Sequence, residues 1–267
     1  MITEEIEMEN NYLGRDGAPI GENAWKAIDA AIAETAKSVL AGRRLLYIEG
    51  PFGLGLKGVP LQDAKLESGL LTSSFVPLNL IQKSFVMSKR DLAAAERDGL
   101  PVNIAPVAAA ALDCAQLEDE MIFHGSAGSV GLLTDQGANK INLSSWKEVG
   151  KAADDIIAAL TALDDSGFHG PYSLALSPGR YNLLLRRYPQ GGTELDQIKS
   201  MTDSVFKAPI LENGGVLLAS GRQYAAIILG QDMSVGFIGP TGENLEFYVS
   251  ESLALLIRQS KAICVLK

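Results

Sequence analysis

Cysteine, histidine and aromatic residues are scarce in this chain of 267 residues, and each scarcity removes a class of function. The two cysteines, Cys114 and Cys264, lie far apart in apolar stretches. No CxxC pair exists for a structural zinc site, so two buried, reduced thiols are expected and no metal is. The two histidines, His124 and His169, each stand in a Phe-His-Gly string with no second histidine or carboxylate at ligand spacing. Aromatic residues make up 6% of the chain, too few for platforms on which bases stack. No basic run exceeds the pairs Arg43-Arg44, Lys89-Arg90 and Arg186-Arg187, and the net charge is −9, which disfavours a nucleic-acid partner. No apolar run reaches the ~18 residues of a membrane span, and the acidic start MITEEIEMENN lacks the basic region of a secretory signal. A soluble cytoplasmic protein with no membrane partner is therefore expected.

What remains is ordinary globular material, 47% hydrophobic and 21% charged, without internal repeats. Residues 1–20 are polar, broken by Gly14, Gly17 and Pro19, and read as an arm that orders only against something else. The string ENAWKAIDAAIAETAKSVLAGRR is an amphipathic helix with Trp25, Ile28, Ile32 and Val39 on one face, and Gly42 offers a stop. From Gly50 to Ser88, glycines and prolines punctuate short β-leaning pieces too thinly apolar for a core, which predicts a projecting β-hairpin that packs on a partner. Helices resume at DLAAAERDG and at IAPVAAAALDCAQLEDEMIFHG, whose predicted inner stripe is Val107, Ala111, Cys114, Leu117 and Met121. The pattern Ser145…Glu148 predicts a capping box that opens the helix SSWKEVGKAADDIIAALTALDD. GPYSLALS is a strand, Ser177-Pro178 starts another helix, YPQGGT is an exposed turn, and nearly everything beyond Ala208 is strand.

Several strings tempt a catalytic reading. Residues 53–58 spell GxGxxG after a strand, but Val59-Pro60 follows where a dinucleotide fold requires a helix to open. Residues 144–147 contain S-x-x-K without the companion elements of penicillin-recognising enzymes. No nucleophile elbow accompanies His124 or His169, and the run Glu118-Asp119-Glu120 points its carboxylates apart on a helix. That run sits in a last turn, where it is expected to pair with Arg or Lys. No catalytic residues emerge.

Read in order, the strings WKAID (25–29), AGRR (41–44), EGP (49–51), EDEMIFHG (118–125), GPYSLA (170–175), LGQDMSVG (229–236) and SESL (250–253) resemble the encapsulin family, formerly the linocin-type bacteriocins. The resemblance implies an α+β chain with the tailed-phage major capsid fold. It implies a P-domain from residues 21–49, 89–129 and 226–267, an E-loop at 50–88, a spine helix at 104–123 and an A-domain at 130–225. It also implies a structural protein that closes into an icosahedral shell of about sixty copies around a cargo enzyme of ferritin-like or peroxidase type.

In such shells a short C-terminal peptide of the cargo lies in an apolar groove, and the matching positions here are Ile28, Ile32, Val39, Arg43, Tyr47, Asp232 and Val235. The family's five-fold pore loop matches Tyr188, Pro189, Gln190, Gly191, Gly192 and Thr193. That loop carries no charge, which predicts weak ion selectivity with Arg186 and Arg187 nearby. Two departures stand out: the acidic arm is longer than family starts, and Lys89-Arg90 replaces an aromatic found after the E-loop in some members, so no flavin or other cofactor is expected. Two rival readings are a phage or prophage capsid protein enclosing DNA, disfavoured by the charge, and a serine-type hydrolase, which no motif supports.

Overall fold

The computed structural model describes residues 12–65, 69–126 and 128–267; residues 1–11 of the acidic arm lie outside the described residues. In chain order the first elements are α1 (Glu22–Val39), α2 (Gly42–Leu45), β1 (Tyr47–Glu49), β2 (Gly58–Pro60), β3 (Ala64–Lys65), β4 (Leu71–Thr72), β5 (Phe75–Pro77) and β6 (Asn79–Ser88). Then come α3 (Lys89–Asp98), α4 (Ala105–His124), β7 (Gly125–Ser126), β8 (Ser129–Val130), β9 (Asn139–Ile141), α5 (Lys151–Asp165), β10 (Tyr172–Leu176) and α6 (Pro178–Leu183). The chain finishes with α7 (Glu194–Met201), β11 (Ser204–Lys207), β12 (Gly215–Ala219), β13 (Ala225–Leu229), β14 (Ser234–Thr241), β15 (Asn244–Ile257) and β16 (Ile263–Leu266).

Contacts group the chain into two units: one of Met1–Leu40, Gly50–Glu118 and Ile228–Ala254, the other of Ala41–Glu49, Asp119–Ile227 and Leu255–Lys267. In the first unit β15 is central, antiparallel to β14 and β6, and the register places Phe247 between Phe237 and Phe85. Phe247 is fully buried, its ring 5.5 Å from Phe85, 5.2 Å from Phe237 and 5.9 Å edge-on to Trp25 of α1. Helix α1 buries Ala24, Ile28, Ala31, Ile32 and Ala36, the three-to-four-residue spacing of its apolar face. The arm's described end does not wait for a partner. Leu13 is buried, and Arg15 pairs with Asp29 and lies over the Trp25 ring.

The second unit carries a sheet in the order β11-β10-β12-β16-β9, parallel at its two edge pairs and antiparallel between. Its core joins Trp146 and the inner face of α5 (Ala152, Ile156, Ala159, Leu163) to Leu174, Leu176, Leu217 and Cys264.

Three expectations are corrected. Helix α1 ends at Val39, and Gly42 is not its stop but the first residue of α2. A Cβ on Gly42 would stand 2.5 Å from Ile122 Cδ1, and the Ala41 and Gly42 amides donate to Asp119, so the glycine is there for close packing. The stripe of α4 leaves Leu117 exposed and Met121 half-buried, and turns Glu118, Asp119 and Ile122 inward instead. No capping box forms at Ser145 and Glu148; the chain passes through Trp146 at φ 51° and α5 begins at Lys151. β16 pairs with β12 and β9, which groups residues 255–267 with the second unit, and β6 pairs with β15 in the sheet of the first.

Candidate functional site

Three surface features inherit the expectations of the sequence. The first is the hairpin. Within the first unit it begins where Phe52 and Gly53 donate to the carbonyls of Leu229 and Gly230. At Gly50 a Cβ would stand 2.5 Å from the Leu229 carbonyl oxygen, and φ is 114°, so only glycine fits. The GxGxxG string makes a tight turn, with the Leu56 amide on the Gly53 carbonyl, and then enters β2 rather than a helix. Two short ladders follow, β2 with β5 and β3 with β4. Neither covers a core. Phe52 and Phe75 are 60% and 58% exposed, Leu70 and Leu71 62% and 64%. Solvent-facing side chains of this size on two-stranded ribbons mark an interaction surface.

The second feature surrounds α1 and the late strand. Ile28 and Val235 are fully buried and Ile32 is 3% exposed, so these three are core residues of the first unit and not an open groove wall. Their helical and strand spacing carries them inward onto the sheet. Val39 remains half-buried, packed with Met233 against Ala36, Leu40 and Ala115. Asp232 is exposed, and its Oδ1 accepts the Met233 amide at 2.8 Å. In the second unit Arg43 is half-buried and Tyr47 is 53% exposed.

The third feature is the turn between α6 and α7. Tyr188 donates its amide to the Gly192 carbonyl, and Gly191 to that of Tyr188, both at 3.0 Å. Gly191 and Gly192 take φ values of 99° and 77°, left-handed conformations that side chains resist. Pro189, Gln190, Gly191 and Gly192 are exposed. Thr193 is the N-cap of α7, sharing a capping box with Asp196, whose carboxyl is held below its usual range by the Thr193 hydroxyl and amide. Arg186 is not a free rim charge: it donates to the carbonyls of Leu183, Trp146 and Lys147, whereas Arg187 is exposed.

The remaining candidates do not converge on chemistry. His169 meets Asp164 at 3.1 Å on an exposed surface, and Asp164 also accepts the Tyr172 hydroxyl; these two bonds, the tyrosine's first, lower its pKa. His124 ends α4, exposed. Ser144 donates to Asp155 together with the Trp146 indole. Burial pushes the Cys114 and Cys264 thiols up to about 12, away from nucleophilic use. Among the described residues no group of His, Cys, Asp and Glu is arranged to hold a metal ion.

Comparison with solved structures defines the class first. The chain superposes on a virus-like particle from Pyrococcus furiosus with a TM-score of 0.74 at 22% identity, covering 91% of this chain and 99% of that one. The capsid of Myoviridae phage XM1 follows at 0.62 and 14%, covering 83% and 88%. This is the phage-capsid fold, a mixed α/β architecture. Residues 10–254 match the family described as encapsulating protein for peroxidase. A type 1 encapsulin shell protein of Myxococcus xanthus is 31% identical over 96% of each chain, and one of Rhodococcus erythropolis 29% identical over 94% of this chain and 97% of its own. The chain belongs to the encapsulin family: it is a structural shell protein of a nanocompartment, not an enzyme. The phage XM1 capsid, at 14% identity, shows the fold alone.

Proposed function

We propose that about sixty copies of this chain close into the smallest icosahedral shell, each laying its hairpin across a neighbour, around a cytoplasmic cargo enzyme of peroxidase or ferritin-like type. The observation that carries the reading is the hairpin: Leu71 and Phe75 stand in solvent on its two short ladders, and Phe52 and Leu70 are exposed beside them. A heterologous contact of this kind, repeated by rotation, closes a shell. Free, buried thiols at Cys114 and Cys264 suit a reducing compartment.

A targeting peptide borne by the cargo would seat on what the first unit leaves open, the half-buried Val39 and Met233 with the exposed Asp232 at their edge. Ile28, Ile32 and Val235 support that surface from beneath. Arg43 and Tyr47 of the second unit offer a cation and an amphipathic ring to the same kind of ligand. The turn Tyr188–Thr193, uncharged and closed by two glycines, would line the passage for small solutes.

Negative-stain electron microscopy of the chain expressed alone, with the ratio of nucleic-acid to protein absorbance, tests the reading. Uniform hollow particles free of nucleic acid are expected. Folded monomers or small oligomers would refute the shell, and DNA-filled particles would make the chain a capsid protein.

A further inference from the structure

The turn at Tyr188–Thr193 is bracketed by two charged residues that fasten both of its stems to one place. Glu194, the first residue of α7, is fully buried. Its Oε1 accepts the amides of Gly150 at 2.7 Å, Ala152 at 3.1 Å and Ala153 at 3.4 Å, so it caps the start of α5 from across the unit. The residue at that cap position, Gly150, has no side chain to do so. A carboxylate set against three amides at a helix N-terminus meets both the unpaired donors and the positive end of the dipole. On the other stem, Arg186 lies with Nη2 3.6 Å from Glu194 Oε2, and donates to the carbonyls of Trp146 and Lys147 just ahead of α5. The segment receiving both stems is itself fixed, because Trp146 is fully buried at φ 51° with its indole on Asp155 and Arg180 over its ring. The Leu195 amide on the Leu184 carbonyl closes the base.

We infer that Glu194, with Arg186, is a positioning residue that locks the turn to α5, so that the turn is a fixed aperture rather than a moving gate. This rests on reading the turn as a passage through the shell. Glu194 is wholly buried while the Arg186 side chain is 31% exposed, so removing Arg186 leaves a buried carboxylate without its counter-charge.

The test compares assembled particles of the natural chain with Glu194→Gln, which keeps the carbonyl acceptor and removes the charge, and with Arg186→Met, which leaves the amide bonds of Glu194 in place. Amide hydrogen exchange is read over residues 146–153 and 187–195, with residues 244–254 of β15 as the internal reference. Exchange in the first two segments is expected to quicken on the order of tenfold while the reference holds. Particles assembled around calcein coupled to dextran are then quenched with cobalt ions, and quenching should speed up in the same variants. Unchanged exchange in both variants, or equal acceleration in the reference strand, overturns the clamp. Local loosening with unchanged quenching upholds the clamp and removes the passage reading instead.

Discussion

If the hairpin is the adhesive of the shell, its leucines should control assembly without controlling the fold. Leu70 and Leu71 are 62% and 64% exposed, Leu71 in the β3–β4 ladder and Leu70 just ahead of it. Full burial of a leucine is worth ~1.5–3 kcal/mol, so burying the exposed two-thirds in a neighbour contributes about 1–2 kcal/mol each. Replacing both by aspartate removes about 2–4 kcal/mol per hairpin and adds the cost of drying two carboxylates. At ~1.4 kcal/mol per factor of ten, each contact weakens by roughly 30- to 700-fold. A closed shell repeats that loss at every copy, so particles should vanish at concentrations where the natural chain assembles fully. Sedimentation velocity over a concentration series reads the loss, and far-ultraviolet circular dichroism confirms that the variant chain is folded. The alanine pair should show the same effect at smaller size. Full-sized particles with an unchanged dissociation midpoint in urea would refute the reasoning.

Other predictions follow from the buried contacts. Gly42→Ala puts a methyl 2.5 Å from Ile122 Cδ1 and 3.2 Å from Asp119 Oδ1, and overpacking of this kind costs about 1–3 kcal/mol, read as a lower melting temperature. Cys114 and Cys264, raised by burial to about 12, should resist a thiol reagent at pH 8 until the protein is denatured. The same shift fixes a sign. Below the unfolded thiol range, ~8.5–9, both states hold their protons; above it the unfolded chain loses protons first, so stability contributed by these thiols falls as pH rises from 9 towards 12, as urea midpoints across that range would report. Asp232→Lys changes an exposed side chain, so shells should form normally while the cargo recovered per particle drops severalfold, measured by gel densitometry.

The elements that were legible in the sequence are those whose periodicity reports burial directly. Helix α1 and the late strands follow from apolar spacing, and in the thinly apolar stretch from Gly50 to Ser88 the short β pieces before Leu78 pair as two ladders. What failed were boundaries set by distant partners. Ser145 and Glu148 have the spacing of a capping box, but Glu194 occupies the cap of α5 from 44 residues away. Gly42 has the look of a helix stop, yet it is needed where α2 meets Ile122. The groove positions were less legible: Ile28, Ile32 and Val235 are apolar at regular spacing whether they face a ligand or a core, and it is three-dimensional packing that buries them.

Those failures share a physical cause. The backbone at Gly21, at Ala41 and at Gly150, where helices begin, has no side-chain cap of its own. Each start is completed by a carboxylate from another element of the same unit: Glu96 on the Gly21 amide, Asp119 on Ala41 and Gly42, Glu194 on Gly150, Ala152 and Ala153. Asp155 does the same for the bend at Ser144 and Trp146. Part of the acidic excess that sequence alone assigns to the surface is therefore internal, with Asp119 and Glu194 almost or wholly buried. Capping from a distance makes each helix start conditional on its unit being assembled, so these helices form with the tertiary fold rather than before it. For a subunit that must present rigid edges to many neighbours, this arrangement trades local helix signals for cooperativity within each unit, and the fixed turn at Tyr188–Thr193 is one outcome of it.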